Sequence, residues 1–195
     1  MKPTLPFTHD EMSRILAACD RYAGNQERMR PFVLTMRYSG LRIGDTVALS
    51  KDRIAGNKLF LYTAKTGTPV YVPLPPIVIA ALAQLDTNGC GRYFSTGNAK
   101  PRTARANWSR YLDAVFALAD VEQGHSHRFR DTFAVRLLEN GVPLDTLSIL
   151  LGHASVKITE RHYRPWVQTL QANLEAAVTK TWNDHTGSPH GSATT

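Results

Sequence analysis

Three short runs, near positions 53–55, 58–62 and 69–72, are the strand-like pattern in this chain. Gly56-Asn57 joins the first two, and Lys65-Thr66-Gly67 occupies the turn between the second and third. Runs this brief, linked by turns, make a small antiparallel sheet and nothing larger. Most of the remaining chain repeats its apolar residues at helical spacing. The expected fold class is therefore mainly α with a small three-stranded antiparallel sheet.

The helices can be placed by their start and stop signals. Thr8-His9-Asp10-Glu11 is a capping box, opening a helix over about 8–22 with Met12, Ile15, Leu16 and Cys19 on one face. A second helix is expected over about 26–39, its start irregular or delayed by Pro31, and stopped by Gly40. A short helix follows through about Leu49, and Pro75-Pro76 opens another to about Leu85. The stretch from about 103 to 119 carries Trp108, Tyr111, Leu112, Val115 and Phe116. Four more helices are expected near 127–140, 144–151, 155–162 and 166–182, punctuated by Gly141, Gly152 and Pro165. Residues 1–7 read as a lead-in, and 183–195, with almost no apolar content, as a disordered tail.

The chain has 195 residues, enough for one well-filled core but not comfortably two, so residues 1–182 are expected to form one domain. No apolar run is long enough to cross a bilayer, and the start has no apolar signal region. Two cysteines, Cys19 and Cys90, stand outside any metal-ligand spacing, which fits a reducing compartment. Lys and Arg outnumber Asp and Glu by 23 to 16, a formal charge of +7. Such a chain attracts polyanions, and arginine in particular offers a rigid donor fork for phosphate oxygens.

The chemistry-bearing residues gather between His125 and Tyr163. His127 and Arg130 lie three apart at an expected helix start, where both can face one way and where the helix N-terminus favours an anion. Arg128 and Arg136 face elsewhere and read as surface residues or contacts to a phosphate backbone. His125 and His127 make an H-x-H pair, yet no carboxylate or cysteine ligand pattern accompanies it, which argues against a metal. His153 follows Leu151-Gly152 at a helix break, where a histidine is ordinarily a capping or packing residue. Tyr163 precedes Arg164-Pro165, which should end its helix and leave the hydroxyl near a cleft. Arg42 follows Gly40, with Asp45 three residues on, a spacing that makes a local ion pair or holds the guanidinium for a ligand. Lys65 sits at a hairpin tip, where most lysines are merely exposed.

Taken singly, each of these has an ordinary explanation. Their order, Arg, hairpin Lys, His-x-x-Arg, Gly-His, Tyr, resembles that of the tyrosine recombinases, the phage integrase family. The resemblance covers about Thr8 to Trp166 and rests on Ser39-Gly-Leu-Arg-Ile-Gly-Asp45, Thr63-Ala-Lys-Thr-Gly67, His127-Arg-Phe-Arg-Asp-Thr-Phe-Ala134, Leu151-Gly-His153 and Thr159-Glu-Arg-His-Tyr163. It implies a mostly helical catalytic domain with a three-stranded sheet and a catalytic set of Arg42, Lys65, His127, Arg130, His153 and Tyr163. Tyr163 would attack a DNA phosphorus to give a 3′-phosphotyrosyl bond, with no metal or other cofactor. Arg42, Arg130 and His153 would stabilise the phosphoryl oxygens, Lys65 would protonate the leaving 5′-oxygen, and His127 would assist proton movement from Tyr163. Asp45 would orient Arg42.

The resemblance also implies double-stranded DNA as partner, a tetramer on paired sites, no membrane, and a cytoplasmic setting in a bacterium or phage-infected cell. Lys51, Lys100, Arg102 and Arg105 are expected backbone contacts. The helix at 166–182, apolar at Val167, Leu170, Leu174 and Val178, would pack on its own core or dock on a neighbouring protomer. Two departures stand out. Asp131 follows Arg130 where many members have histidine, and the helical N-terminal domain that usually clamps DNA is not apparent. A type IB topoisomerase, a DNA-binding regulator without cleavage, and a metal hydrolase using His125, His127, His153 and His162 are the competing readings.

Overall fold

The computed structural model describes residues 5–87, 89–95 and 98–184. In chain order the elements are α1 (His9–Arg21), α2 (Gln26–Ser39), α3 (Ile43–Val47), β1 (Ile54–Ala55), β2 (Lys58–Tyr62), β3 (Pro69–Pro73), α4 (Pro76–Ala83), α5 (Pro101–Leu118), α6 (His127–Glu139), α7 (Leu144–Leu150) and α8 (Val156–Asp184). The mainly helical class with one small antiparallel sheet is as expected. The capping box is present in both halves: Glu11 N donates to Thr8 Oγ1 at 3.1 Å, and Thr8 N to Glu11 Oε2 at 2.8 Å. Much of the tail expected at 183–195 lies outside the described residues.

The sheet runs in the order β1-β2-β3, antiparallel throughout, with Leu59 opposite Val72 and Leu61 opposite Val70. These four residues face the core, while Phe60, Tyr62 and Tyr71 alternate outward and stay exposed. The first strand begins one residue later than expected, because 51–53 wind into a 3-10 turn.

Two prolines behave differently from their local preference. Pro31 lies inside α2, which starts at Gln26 without delay. Its neighbours Met29, Phe32, Val33, Leu34 and Met36 are all buried, so tertiary packing outweighs the lost backbone bond. Pro165 likewise does not divide the C-terminal region: α8 is continuous across it. Tyr163, Trp166 and Val167 form one stripe against the core at i, i+3, i+4 spacing, and that shared face carries the helix through the proline. Further along α8, Leu174 and Val178 are exposed, and the side chain of Leu170 lies outside the described residues.

The core is aromatic at its centre. Phe32 stacks on Trp108 with centroids 3.9 Å apart, and the indole N–H donates to the Phe94 carbonyl at 2.7 Å. The supposed lead-in is part of this core. Phe7 is buried against Phe129 and Phe116, and its N–H donates to Thr132 Oγ1 at 2.8 Å. Burial of such a ring contributes about 2 kcal/mol.

Two glycines position the loops that matter below. Gly40 and Gly152 both have positive φ, 64° and 61°. A Cβ on Gly40 would meet the Phe133 ring at 2.5 Å, and one on Gly152 would meet Val70 Cγ2 at 2.7 Å. Only glycine permits the loop after α2 to press on α6, and the loop after α7 to press on the sheet.

Candidate active site

Arg130 is the knot that ties the motifs together. It rises from α6, 2 % exposed. One end of its guanidinium, Nη1, donates to the Gly40 carbonyl at 2.7 Å, and the other, Nη2, donates to the Leu151 carbonyl at 2.6 Å. A single planar fork therefore holds the loop that leads into Arg42 and the loop that leads into His153.

The β2–β3 hairpin is fixed from two sides. Asp45 Oδ1, on α3, accepts from the Ala64 N–H at 2.9 Å, and the Thr66 hydroxyl donates to the Gly152 carbonyl at 3.4 Å. These contacts place the exposed Lys65 over the cleft. They also correct an expectation: the bond recorded for the Asp45 carboxylate goes to the hairpin backbone rather than to the Arg42 guanidinium. The reason is burial. Asp45 is 6 % exposed, and the hairpin amide lies against it.

Arg42, Lys65, His127, His153 and Tyr163 line a cleft of about 380 Å³, together with Thr66, Ala154, Ile158 and His162. Arg42, Lys65 and His127 continue into an adjoining recess of about 470 Å³, whose floor includes Arg130 and Asp45 and whose rim includes Arg105. Of the four expected backbone contacts, Arg105 and Arg102 line a groove that leads away from this recess. Lys51 and Lys100 are exposed but line neither the cleft nor that groove. Arg110, on the same face of α5 as Arg102 and Arg105, joins the groove and had no motif to mark it.

The electrostatics are unusual for a folded chain without a partner. Arg42 Nη1 is buried and has no acceptor. Burial, and then the like charge of Arg42, pushes the Arg130 guanidinium down to about 10. His153 is pushed down to about 3 by burial, then by Arg130 and Arg42, so it is a neutral imidazole at ordinary pH. Its Nδ1 shares a 2.7 Å hydrogen bond with the buried Thr159 hydroxyl. When Thr159 donates, Nε2 carries the proton and is a donor. Nothing in the spacing of the sequence pointed to Thr159.

Tyr163 is 2 % exposed and lies within α8 rather than at a helix end. Its hydroxyl donates to Asp131 Oδ1 at 3.1 Å. Burial, and then the Asp131 charge, raises its pKa well above the usual phenol. His127 is depressed by burial but lies close enough to Asp131 to be partly compensated.

Arg128 departs from the expectation of a surface residue. It is buried, its Nη2 pairs with both Glu11 oxygens at 2.9 and 2.8 Å, and its guanidinium lies 4.2 Å from the Phe7 ring centre. The Glu11 carboxyl sits below its usual range: burial pushes it up, but the Thr8 backbone N–H and then Arg128 outweigh that. Arg136, by contrast, is exposed. Among the described residues no three His, Cys, Asp or Glu side chains cluster as a cation cage, and no helix is long and apolar enough to cross a membrane.

Residues 6–166 match the phage integrase family. The chain belongs to that family. Curated relatives of this phage integrase family chain include a tyrosine recombinase XerC from Pelobacter propionicus, 30% identical over 141 residues, covering 69% of this chain and 47% of that protein. A probable integrase/recombinase of Acholeplasma phage L2 is 25% identical over 167 residues, covering 83% of this chain and 58% of the relative. The chain thus spans about half the length of the curated relatives it matches. Among solved structures, the XerA recombinase superposes with a TM-score of 0.69 at 20% identity, covering 89% of this chain and 66% of that one. The catalytic domain of bacteriophage HP1 integrase gives 0.66 at 22% identity, covering 90% and 94%. These likenesses establish that the fold is that of an integrase catalytic domain.

Proposed function

We propose that this chain carries the catalytic domain of a site-specific DNA recombinase, which cuts and rejoins strands of double-stranded DNA through a 3′-phosphotyrosyl intermediate. The observation that carries the reading is the orphaned donor on Arg42. A buried guanidinium nitrogen without an acceptor, beside a second buried arginine and a tyrosine, is an arrangement with a donor left over for an anion. A phosphodiester supplies that anion and its reacting phosphorus together.

In this reading a non-bridging oxygen sits against Arg42 and Arg130, whose forks oppose the charge that grows as phosphorus becomes five-coordinate. Neutral His153 donates from Nε2. Tyr163 attacks in line, and Lys65, free to swing at the hairpin tip, protonates the departing 5′-oxygen. His127, exposed at the mouth, would contact the phosphate rather than the phenol, since the phenol's own proton is directed at Asp131. The bond energy stays in the phosphotyrosyl ester, so a 5′-hydroxyl from another strand reverses the step. Arg102, Arg105 and Arg110 carry the flanking backbone, which positions without specifying sequence. One domain over residues 1–182, a tetramer on paired sites and a cytoplasmic setting belong to the same proposal. Support for DNA as partner comes from relatives of this fold, such as a XerH site-specific recombinase in a post-cleavage complex with its difH substrate.

The test has two stages. The protein is incubated with genomic DNA in chelator and denatured, and covalent protein–DNA adducts are mapped. A nicked duplex built on a mapped site then traps the adduct for single-turnover work. Adduct from the wild type and none from Tyr163→Phe supports the proposal. DNA retention with no adduct from the wild type would leave a binding protein instead, and chelator-sensitive cleavage without adduct a metal hydrolase.

A further inference from the structure

Among the described residues, Asp131 is the acidic side chain in hydrogen-bond contact with the Tyr163 oxygen. It follows Arg130 on α6, about 100° further round the helix. Arg130 therefore turns to the two motif loops while Asp131 turns to α8. Both Asp131 and Tyr163 are almost wholly buried, at 4 % and 2 % exposed, where α6 packs on α8. We propose that Asp131 is a catalytic residue: its carboxylate takes the proton from Tyr163 as the phenolic oxygen bonds to phosphorus, and returns it on rejoining. The inference rests on Tyr163 being the nucleophile.

A phenol has one hydrogen, and here it is committed to Asp131 Oδ1 at 3.1 Å. The oxygen lone pairs are left out of that bond, and the charges of Arg42 and Arg130 both favour a negative oxygen. A phosphorus approaching from the side away from Asp131 would meet a lone pair rather than the hydrogen, as in-line attack requires. At rest the proton stays on the tyrosine, because an ordinary phenol is about six pKa units weaker as an acid than an ordinary carboxylic acid. That order inverts during the reaction. As the O–P bond forms, the aryl oxygen loses its basicity, and the carboxylate 3.1 Å away becomes the better base.

The step balances without an added reagent. The Tyr163 O–H and the phosphorus–5′-oxygen bonds break. The Tyr163 O–P bond and an Asp131 O–H bond form, and the 5′-oxygen takes its proton from Lys65. The charges facing Asp131 are Arg130 on its own helix, His125 and His127 at the start of α6, and Tyr163 from α8.

The experiment uses the nicked duplex under single turnover, from pH 6 to 9. Asp131→Asn, of equal size, should retain DNA binding and its melting temperature yet form adduct at least about a hundredfold more slowly at pH 7. The deficit should narrow towards pH 9, where hydroxide substitutes for the base. Asp131→Ala should recover with added formate in proportion to its concentration, a response the wild type does not share, and this variant carries the test if the asparagine variant fails to fold. Replacing the departing 5′-oxygen by sulfur should rescue Lys65→Ala, since a thiolate leaves unprotonated, but should not rescue Asp131→Asn. A loss below threefold, a faster variant, or a deficit constant with pH and unmoved by formate would overturn the proposal and leave Asp131 a holding residue. Failure of the nucleophile reading is distinct: there the wild type forms no adduct, or Tyr163→Phe still does.

Discussion

Arg128 and Arg130 stand two residues apart on α6, both buried, and meet opposite conditions. Around Arg128 the chain supplies its own counter-charge. Nε donates to the Leu5 carbonyl at 2.9 Å, Nη1 to the Glu122 backbone carbonyl at 3.3 Å, and Nη2 to the Pro6 carbonyl at 3.2 Å and to the Glu11 carboxylate. Around Arg130 the hydrogen-bond partners are two neutral carbonyls, Asp45 and Asp131 act on it through their charge, and Arg42 beside it keeps a buried donor with no acceptor. The first seam closes α1 onto α6 and has no need of a ligand. The second leaves two cations facing a cleft. Burial alone does not separate a structural arginine from a functional one; whether the donors there are all met by acceptors of the chain does.

Substitution at the two sites should therefore trade stability against activity. Arg128→Ala strands the Glu11 carboxylate in a half-closed pocket and removes the cover over Phe7. Urea unfolding should show a loss of about 3–5 kcal/mol, with adduct formation per folded molecule unchanged. A stability loss under 1 kcal/mol would mean the seam is an ordinary surface pair.

Arg42→Ala should do the reverse. Removing one donor from the developing oxyanion lowers adduct formation about a hundredfold or more, equivalent to about 3 kcal/mol of transition-state stabilisation. Unfolding should be unaffected or slightly harder, because a buried donor without an acceptor has been deleted. If Arg42→Ala unfolds readily yet cleaves normally when folded, the contrast between the two arginines fails.

This contrast also marks what the amino-acid order reveals. The capping box, the hairpin and the breaks at Gly40 and Gly152 were legible, because each is set by residues a few positions apart. The candidate set Arg42, Lys65, His127, Arg130, His153 and Tyr163 was legible as a motif order, and the fold gathers it at a cleft and the recess adjoining it. What escaped depends on distant partners. Arg128 looked like a surface residue because Glu11, Leu5 and Pro6 are more than a hundred positions away. Phe7 looked like a lead-in for the same reason. Pro31 and Pro165 were read by local preference, and burial of the flanking residues overruled it. Asp131 was visible only as a departure from the family's pattern; its bond to Tyr163 needs α6 and α8 packed together.

The smallest effect is expected at His153, and it sharpens the contrast because this imidazole senses both cleft arginines. In the folded chain it is held down to about 3, against 6.5 for an ordinary histidine, by burial and then by Arg130 and Arg42. The unfolded chain takes up a proton as the pH falls through 6.5, and the folded chain refuses it. The contribution to stability is therefore full above pH 6.5 and drains as the pH falls towards 3. His125 and His127 are depressed as well and add to the same slope. Thermal melts should show the wild type losing stability from pH 6.5 to 4 more steeply than His153→Gln, whose amide cannot ionise. The same variant keeps an N–H donor for the phosphate, so its adduct rate should stay within about tenfold of the wild type at pH 7.5, below the penalty for deleting an oxyanion donor outright. Equal melting slopes would show that neither burial nor the two guanidinium charges holds the folded imidazole down, and would take away that sign of two uncompensated cations at the cleft.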